Sequence, residues 1–134
     1  MNNDIRWKQR FQNFEKAYLL FDEAMQMDSE KLSQLEKEGI IQRFEVVIEL
    51  AWKTLKDYLE NEGYDAVKNS KHAIRVAFQD EIITDAENWM EALKKRNVTS
   101  HTYNENVLNE TMVFLTTVFY PLVHDLYFNL KKAL

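Results

Sequence analysis

The stretch Ile5-Arg6-Trp7-Lys8-Gln9-Arg10-Phe11-Gln12-Asn13-Phe14-Glu15-Lys16-Ala17-Tyr18-Leu19-Leu20-Phe21-Asp22-Glu23-Ala24-Met25-Gln26 decides the fold class. Its residues Trp7, Phe11, Phe14, Tyr18, Phe21 and Met25 recur at alternating steps of four and three, which keeps them on one face of an α-helix; a half-buried strand would alternate with period two. A first helix from about Ile5 to Gln26 therefore presents an aromatic stripe to a core. Asp28-Ser29-Glu30-Lys31 then restarts the chain. Ile41, Phe44, Ile48, Ala51, Leu55 and Tyr58 repeat the same steps through a second long helix, with Gly39 placed to bend or divide its start and Gly63 suited to cap its end.

After Gly63 the pattern predicts a short helix over Lys71 to Phe78, then a turn. A helix follows from Thr84 or Asp85 to Arg96, with Trp89, Met90 and Leu93 on its buried side. The last helix, from about Tyr103 toward Lys132, carries two apolar stripes. One is Leu108, Met112, Leu115, Phe119, Leu122 and Leu126; the other is Val107, Thr111, Phe114 and Val118. One bundle core does not need both, so the second is expected to meet another copy of the chain in a homodimer, or else the short middle helix. Pro121 has no amide hydrogen and clashes with the preceding turn, so it should interrupt this helix near Thr117. The reading is all-α: an antiparallel up-and-down bundle of four main helices plus a short one, forming a single domain over residues 1–134.

With no cysteine, two glycines and one proline, the chain has neither disulfides nor thiolate metal sites and must rest on packing. An uncharged apolar run near 20 residues is absent and Met1-Asn2-Asn3-Asp4 does not resemble a signal peptide, so the expected location is the cytoplasm. The net charge of −5 argues against indiscriminate nucleic-acid binding, but it is unevenly distributed. Residues 1–67 hold 9 Lys and Arg against 14 Asp and Glu, whereas residues 68–134 hold 8 of each. Lys68, Lys71, His72 and Arg75 form a run without an acid, and Lys94-Lys95-Arg96 adds a second basic point; together they would make a local patch for a phosphate or RNA. The alternative for the first run is a solvated helix face. Glu45 and Glu49, one turn apart, could share a metal ion, but no Glu-x-x-His partner accompanies them, so neither a metal nor another cofactor is expected.

The chemistry concentrates in Arg96-Asn97-Val98-Thr99-Ser100-His101-Thr102-Tyr103. Arg96 is a permanent cation whose planar fork fits a phosphodiester, and His101 titrates near neutrality. On one uninterrupted helix their five-residue offset would separate them by roughly 140°, so they converge only across a break. Thr102-Tyr103-Asn104-Glu105 reads as a capping box that starts a new helix there, leaving Arg96 to close the preceding one. A scissile phosphate could then lie between Arg96 and His101. The alternative is a plain helix junction.

Arg96-x4-His101-x-Tyr103 before a long final helix resembles the signature of HEPN-domain proteins. Gln42-Arg43-Phe44-Glu45 and Glu49-Leu50-Ala51-Trp52-Lys53-Thr54-Leu55-Lys56-Asp57-Tyr58-Leu59 are similar to the branch named nucleotidyltransferase substrate-binding proteins. The resemblance covers about Ile5 to the C-terminus. It implies a metal-independent endoribonuclease that uses Arg96 and His101 with help from Asn97. It also implies a two-gene, toxin–antitoxin-like pair in which a minimal nucleotidyltransferase attaches AMP to Tyr103. Other members of the branch are described only as binding subunits, and the alternative it implies is a non-catalytic nucleotide- or substrate-binding partner of that enzyme.

Overall fold

The computed structural model describes residues 2–99 and 104–134, without the side chains of Val98 and Thr99. Helix α1 spans Asn3–Met25, α2 Gln34–Asn61, α3 Ser70–Asp80 and α4 Ala86–Thr99. The last stretch comprises α5 at Glu105–Phe114, a π-helical segment at Leu115–Phe119, and α6 at Tyr120–Lys132. Among the described residues there is no strand. The architecture is an antiparallel helical bundle in which α1, α2, α4 and the α5–α6 rod are the long members and α3 is the short one.

The aromatic stripe of α1 forms one wall of the core: Trp7, Phe11, Phe14, Tyr18 and Phe21 are each at most 3% exposed. Ala24 extends it, while Met25 is only half-buried. The Ile41 to Tyr58 stripe of α2 faces it, and Trp7 meets Tyr58 edge-on at 5.1 Å between ring centres. Helix α6 closes against α1 through Tyr127, stacked on Tyr18 at 4.3 Å. The Tyr127 hydroxyl donates to Glu15 Oε2 at 2.5 Å; burial, then this bond, push its phenol up to about 12. The Tyr120 hydroxyl donates to Asp22 beside it.

Several local expectations change. Asp28-Ser29-Glu30-Lys31 makes only a 3-10 turn at Ser29–Lys31, capped by Asp28. The start of α2 is set instead by Ser33: its hydroxyl accepts from Glu36 N–H at 3.1 Å and Glu36 returns a bond to Ser33 N–H at 2.9 Å, a full capping box. Gly39 does not divide the helix: α2 is continuous through it, and the adjacent Ile40 and Ile41 are buried. Gly63 does follow the end of α2, at φ +103°, where a residue with a side chain would be strained.

The final helix is interrupted where Pro121 demands it. Proline cannot donate to the Thr117 carbonyl and its ring presses on that group; the five residues before Tyr120 adopt the wider π geometry that relieves this. The hydroxyls of Thr116 and Thr117 donate to the Met112 and Val113 carbonyls at 3.1 and 2.6 Å. The π segment also places Phe119 at the centre of the bundle, within 5.7 Å of the ring centres of Phe21 in α1, Phe44 in α2 and Trp89 in α4.

Half of the second stripe of this helix is covered within the chain, while Val107 and Val118 are only half-buried. Thr111 and Phe114 are 3% and 8% exposed within the single chain, and Lys95 of α4 lies over the Phe114 ring at 5.2 Å. Helix α5 packs against α2 and α4. The apolar residue left outward on α5 is Val113, 61% exposed.

Candidate functional site

Helix α4 carries the basic half of the site. Asp85 caps its start by accepting from Asn88 N–H at 2.9 Å, and Trp89 and Leu93 bury its inner face. Arg96 does not close the helix. α4 continues to Thr99, since the propensity cost of Val98 and Thr99 is only a fraction of about 1 kcal/mol each. No break occurs between Arg96 and Thr99. His101, Tyr103 and the proposed cap at Thr102 lie outside the described residues. The first described cap of the last helix is Asn104, whose side chain accepts from Asn106 N–H at 2.7 Å.

Arg96 is held by a residue from another helix. Its Nη2 lies 3.0 Å from Glu49 Oε2 on α2, and the same oxygen accepts the Trp52 indole N–H at 3.1 Å. Lys53 Nζ reaches the other oxygen, Oε1, at 3.3 Å, so the surface pair that the i,i+4 spacing allows does form. Partial burial works against ionisation, but the indole N–H and the two cations prevail and hold the Glu49 carboxyl below the usual glutamate range. Glu49 is therefore a shared anchor. It fixes the guanidinium and the indole relative to one another.

Above this anchor opens a cleft of about 800 Å³ between α2, α3 and α4. Trp52 and Met90 supply apolar wall; Lys71, Arg75, Lys94 and Arg96 supply positive charge against the carboxylates of Glu49, Glu87 and Glu91, and Asn97 lines it too. Two regions of sequence some twenty residues apart, the α3 run and the end of α4, are thus brought to one place. Among the described residues Lys71, Arg75 and Lys94 make no ion pair, leaving their charge available to an anion. Lys95 stands apart from this group: it pairs with Glu91 at 3.8 Å and covers Phe114. His72 is also structural, its Nδ1 accepting from Lys68 N–H at 3.0 Å at the start of α3. Among the described residues no group of three or more His, Asp and Glu could hold a metal ion, and Glu49 is engaged with cations.

The helix order and the Arg96-bearing α4 place this chain in a known group. A family model described as nucleotidyltransferase substrate binding protein like matches residues 9–132. The chain belongs to that family. A relative from Haemophilus influenzae, described as a probable ribonuclease HepT, is 34% identical over 71 residues, 50% of this chain and 49% of that protein. The chain thus matches about half the length of that relative. A crystal structure of a Thermus thermophilus protein superposes with a TM-score of 0.75 at 26% identity, over 84% of this chain and 94% of that one. The HEPN-type, substrate-binding assignment and the helical fold are thereby established. No described helix is long and apolar enough to cross a membrane.

Two functional features escaped sequence reasoning: the Glu49–Arg96 pair and the position of Trp52. Trp52 carries a signal in hindsight, being a large aromatic off the Ile41 to Tyr58 core stripe and three residues from Glu49. The pairing itself joins residues 47 positions apart, which helical periodicity does not address.

Proposed function

We propose that this chain is a metal-independent endoribonuclease working in the cytoplasm with a minimal nucleotidyltransferase that restrains it, in the manner of a toxin–antitoxin pair, by attaching AMP to Tyr103. The observation that carries the reading is Arg96 clamped by Glu49 in a cleft that also bears Lys71, Arg75 and Lys94, on the helix that leads toward His101. In this mechanism the RNA 2′-hydroxyl attacks the adjacent phosphorus and the bond to the 5′-oxygen breaks. His101 moves the proton, and Arg96, steadied by Glu49 and assisted by Asn97, stabilises the charge on the phosphorane. In the restraining step the Tyr103 oxygen attacks the α-phosphorus of ATP and pyrophosphate leaves. The added charge and bulk would occupy the place of the RNA phosphate.

The test is AMP-free protein incubated with RNA in excess chelator. Cleavage should leave a 2′,3′-cyclic phosphate, and His101→Ala should slow it by roughly 100- to 10,000-fold, the usual contribution of general acid–base catalysis. Binding without any cleavage would overturn this reading in favour of the second, a non-catalytic substrate-binding subunit, which the family description and the cleft both favour. With the partner and ATP, the mass should rise by one AMP in wild type and stay constant in Tyr103→Phe. The reading includes a homodimer; a sedimenting species near 16 kDa at micromolar concentration would remove that part.

A further inference from the structure

We infer that Trp52 is a stacking platform for one unpaired base of single-stranded RNA, and that Lys71, Arg75 and Lys94 hold phosphates of the same strand. The inference rests on the ribonuclease reading for the direction of the strand, but its binding geometry stands on separate residues.

Three observations carry it. First, Trp52 is unlike the other two tryptophans: Trp7 and Trp89 are each 1% exposed, whereas Trp52 is half-buried and lines the open cleft. Second, its orientation is fixed. The indole N–H is committed to Glu49 Oε2, the atom that also holds Arg96, so the ring and the phosphate-binding guanidinium lie within about 6 Å of each other through one oxygen. Lys53 Nζ, 6.0 Å from the ring centre, adds positive charge beside it. Third, the same cleft is lined by Lys71 and Arg75 from α3 and by Lys94 from α4, which outnumber the Glu87 and Glu91 carboxylates that α4 also contributes.

An aromatic face beside a track of cations is how proteins take up unpaired strands: the π-face accepts any base and the cations follow the backbone. A duplex keeps its bases stacked internally and offers none to the ring. The volume, about 800 Å³, falls in the ordinary range for a small-molecule or nucleotide-sized site.

The arrangement provides its own probe, because a base stacked on Trp52 should quench the accessible indole while Trp7 and Trp89 stay shielded. The full-length, AMP-free protein would be titrated with three oligomers of equal length, each bearing 2′-O-methyl riboses so that it cannot be cut: a single strand, its blunt duplex, and an abasic strand. The single strand should quench the emission, whereas the duplex and abasic strand should bind more weakly and without quenching. Trp52→Ala should lower single-strand affinity by about 5- to 150-fold, the loss of one base–aromatic stack, and erase the preference over the abasic strand. Trp52→Phe should restore part of it. Lys94→Glu should weaken every oligomer alike and flatten the salt dependence.

Single-strand binding without quenching in wild type, which needs no variant to fold, overturns the inference. So does a helical Trp52→Ala protein that still prefers bases to abasic sites. If cleavage of ordinary RNA persists in either case, the ribonuclease reading stands without the platform. If quenching and the base preference appear but no RNA is ever cut, the platform stands and the ribonuclease reading falls.

Discussion

Helix α2 receives arginines from other helices at two places, Asp57 with Glu60 and, separately, Glu49, and the two differ in their surroundings. At Asp57 the side chain is 4% exposed and accepts from Arg10 Nε at 3.0 Å, with Arg6 Nε at 3.9 Å; Arg6 also reaches Glu60 at 3.6 Å. That cluster ties α1 to α2 and does not line the cleft between α2, α3 and α4. At Glu49 the side chain is 29% exposed, Arg96 is 36% exposed, and both line the cleft. The chemistry of the pair is the same. What differs is the space beside it.

Substituting the open pair should separate activity from stability most sharply. Arg96→Ala should reduce RNA cleavage by about 100- to 1,000-fold, as for loss of a donor to a developing oxyanion. Its melting temperature should barely move, because an ion pair this exposed contributes roughly 0–1 kcal/mol. A variant that cleaves like wild type would show that Arg96 is no more than a helix tie, like Arg10. Glu49→Gln keeps the size of the anchor and removes its charge. By loosening both Arg96 and Trp52 it should cost up to about 100-fold in cleavage, the scale of a small misplacement in a reacting site. Restored cleavage when Arg96 and Glu49 are exchanged would instead mean that the pair matters only as a bridge.

The closed pair should show the reverse. Asp57→Ala strands two arginines against a covered position and should lower the unfolding free energy by about 1.5–3 kcal/mol, the range for hydrogen bonds to charged groups. Chemical denaturation would read this, and cleavage per folded molecule should be unchanged. Loss of activity without loss of stability would erase the distinction between the two sites.

The smallest expected effect is on acid stability. Glu49 and Glu60 both have carboxyls held below the ordinary glutamate value of 4.5. For Glu60 burial works against this, but the Val67 N–H, Lys56 and Arg6 prevail. A carboxyl lowered in the folded state contributes stability that is complete above the unfolded value and is lost as pH falls through the folded one. Denaturation midpoints should therefore decline below about pH 4.5, and Glu49→Gln should make that decline slightly shallower. An unchanged slope would mean that the Glu49 pair is too solvated to register.

Much of the fold was legible because it is local. A run of four-and-three steps defines a buried helix face whatever lies opposite it, and Trp7 to Phe21, Ile41 to Tyr58 and the Leu108 to Phe119 stripe all turn inward. Boundaries were less legible where a better local signal competed. Ser33 with Glu36 starts α2 by exchanging two bonds, so Asp28 caps only a 3-10 turn. The effect of Pro121 was legible because its missing donor and its ring act on the turn just before it.

The sequence by itself determined the helical class, the inward faces, the interruption before Pro121 and the presence of the Arg96-x4-His101-x-Tyr103 pattern, since each depends on residues within a few turns of one another. Only the tertiary structure decided that Glu49 would hold Arg96, that Trp52 would line a cleft with Lys71, Arg75 and Lys94, that Lys95 would cover Phe114, and that Thr111 and Phe114 of the second stripe would be buried within one chain. The physical reason is the range of the interactions. Helical periodicity states which way a side chain points from its own axis. What it meets there depends on how α2, α3, α4 and α5 pack, and that packing is the joint result of burying every apolar face at once.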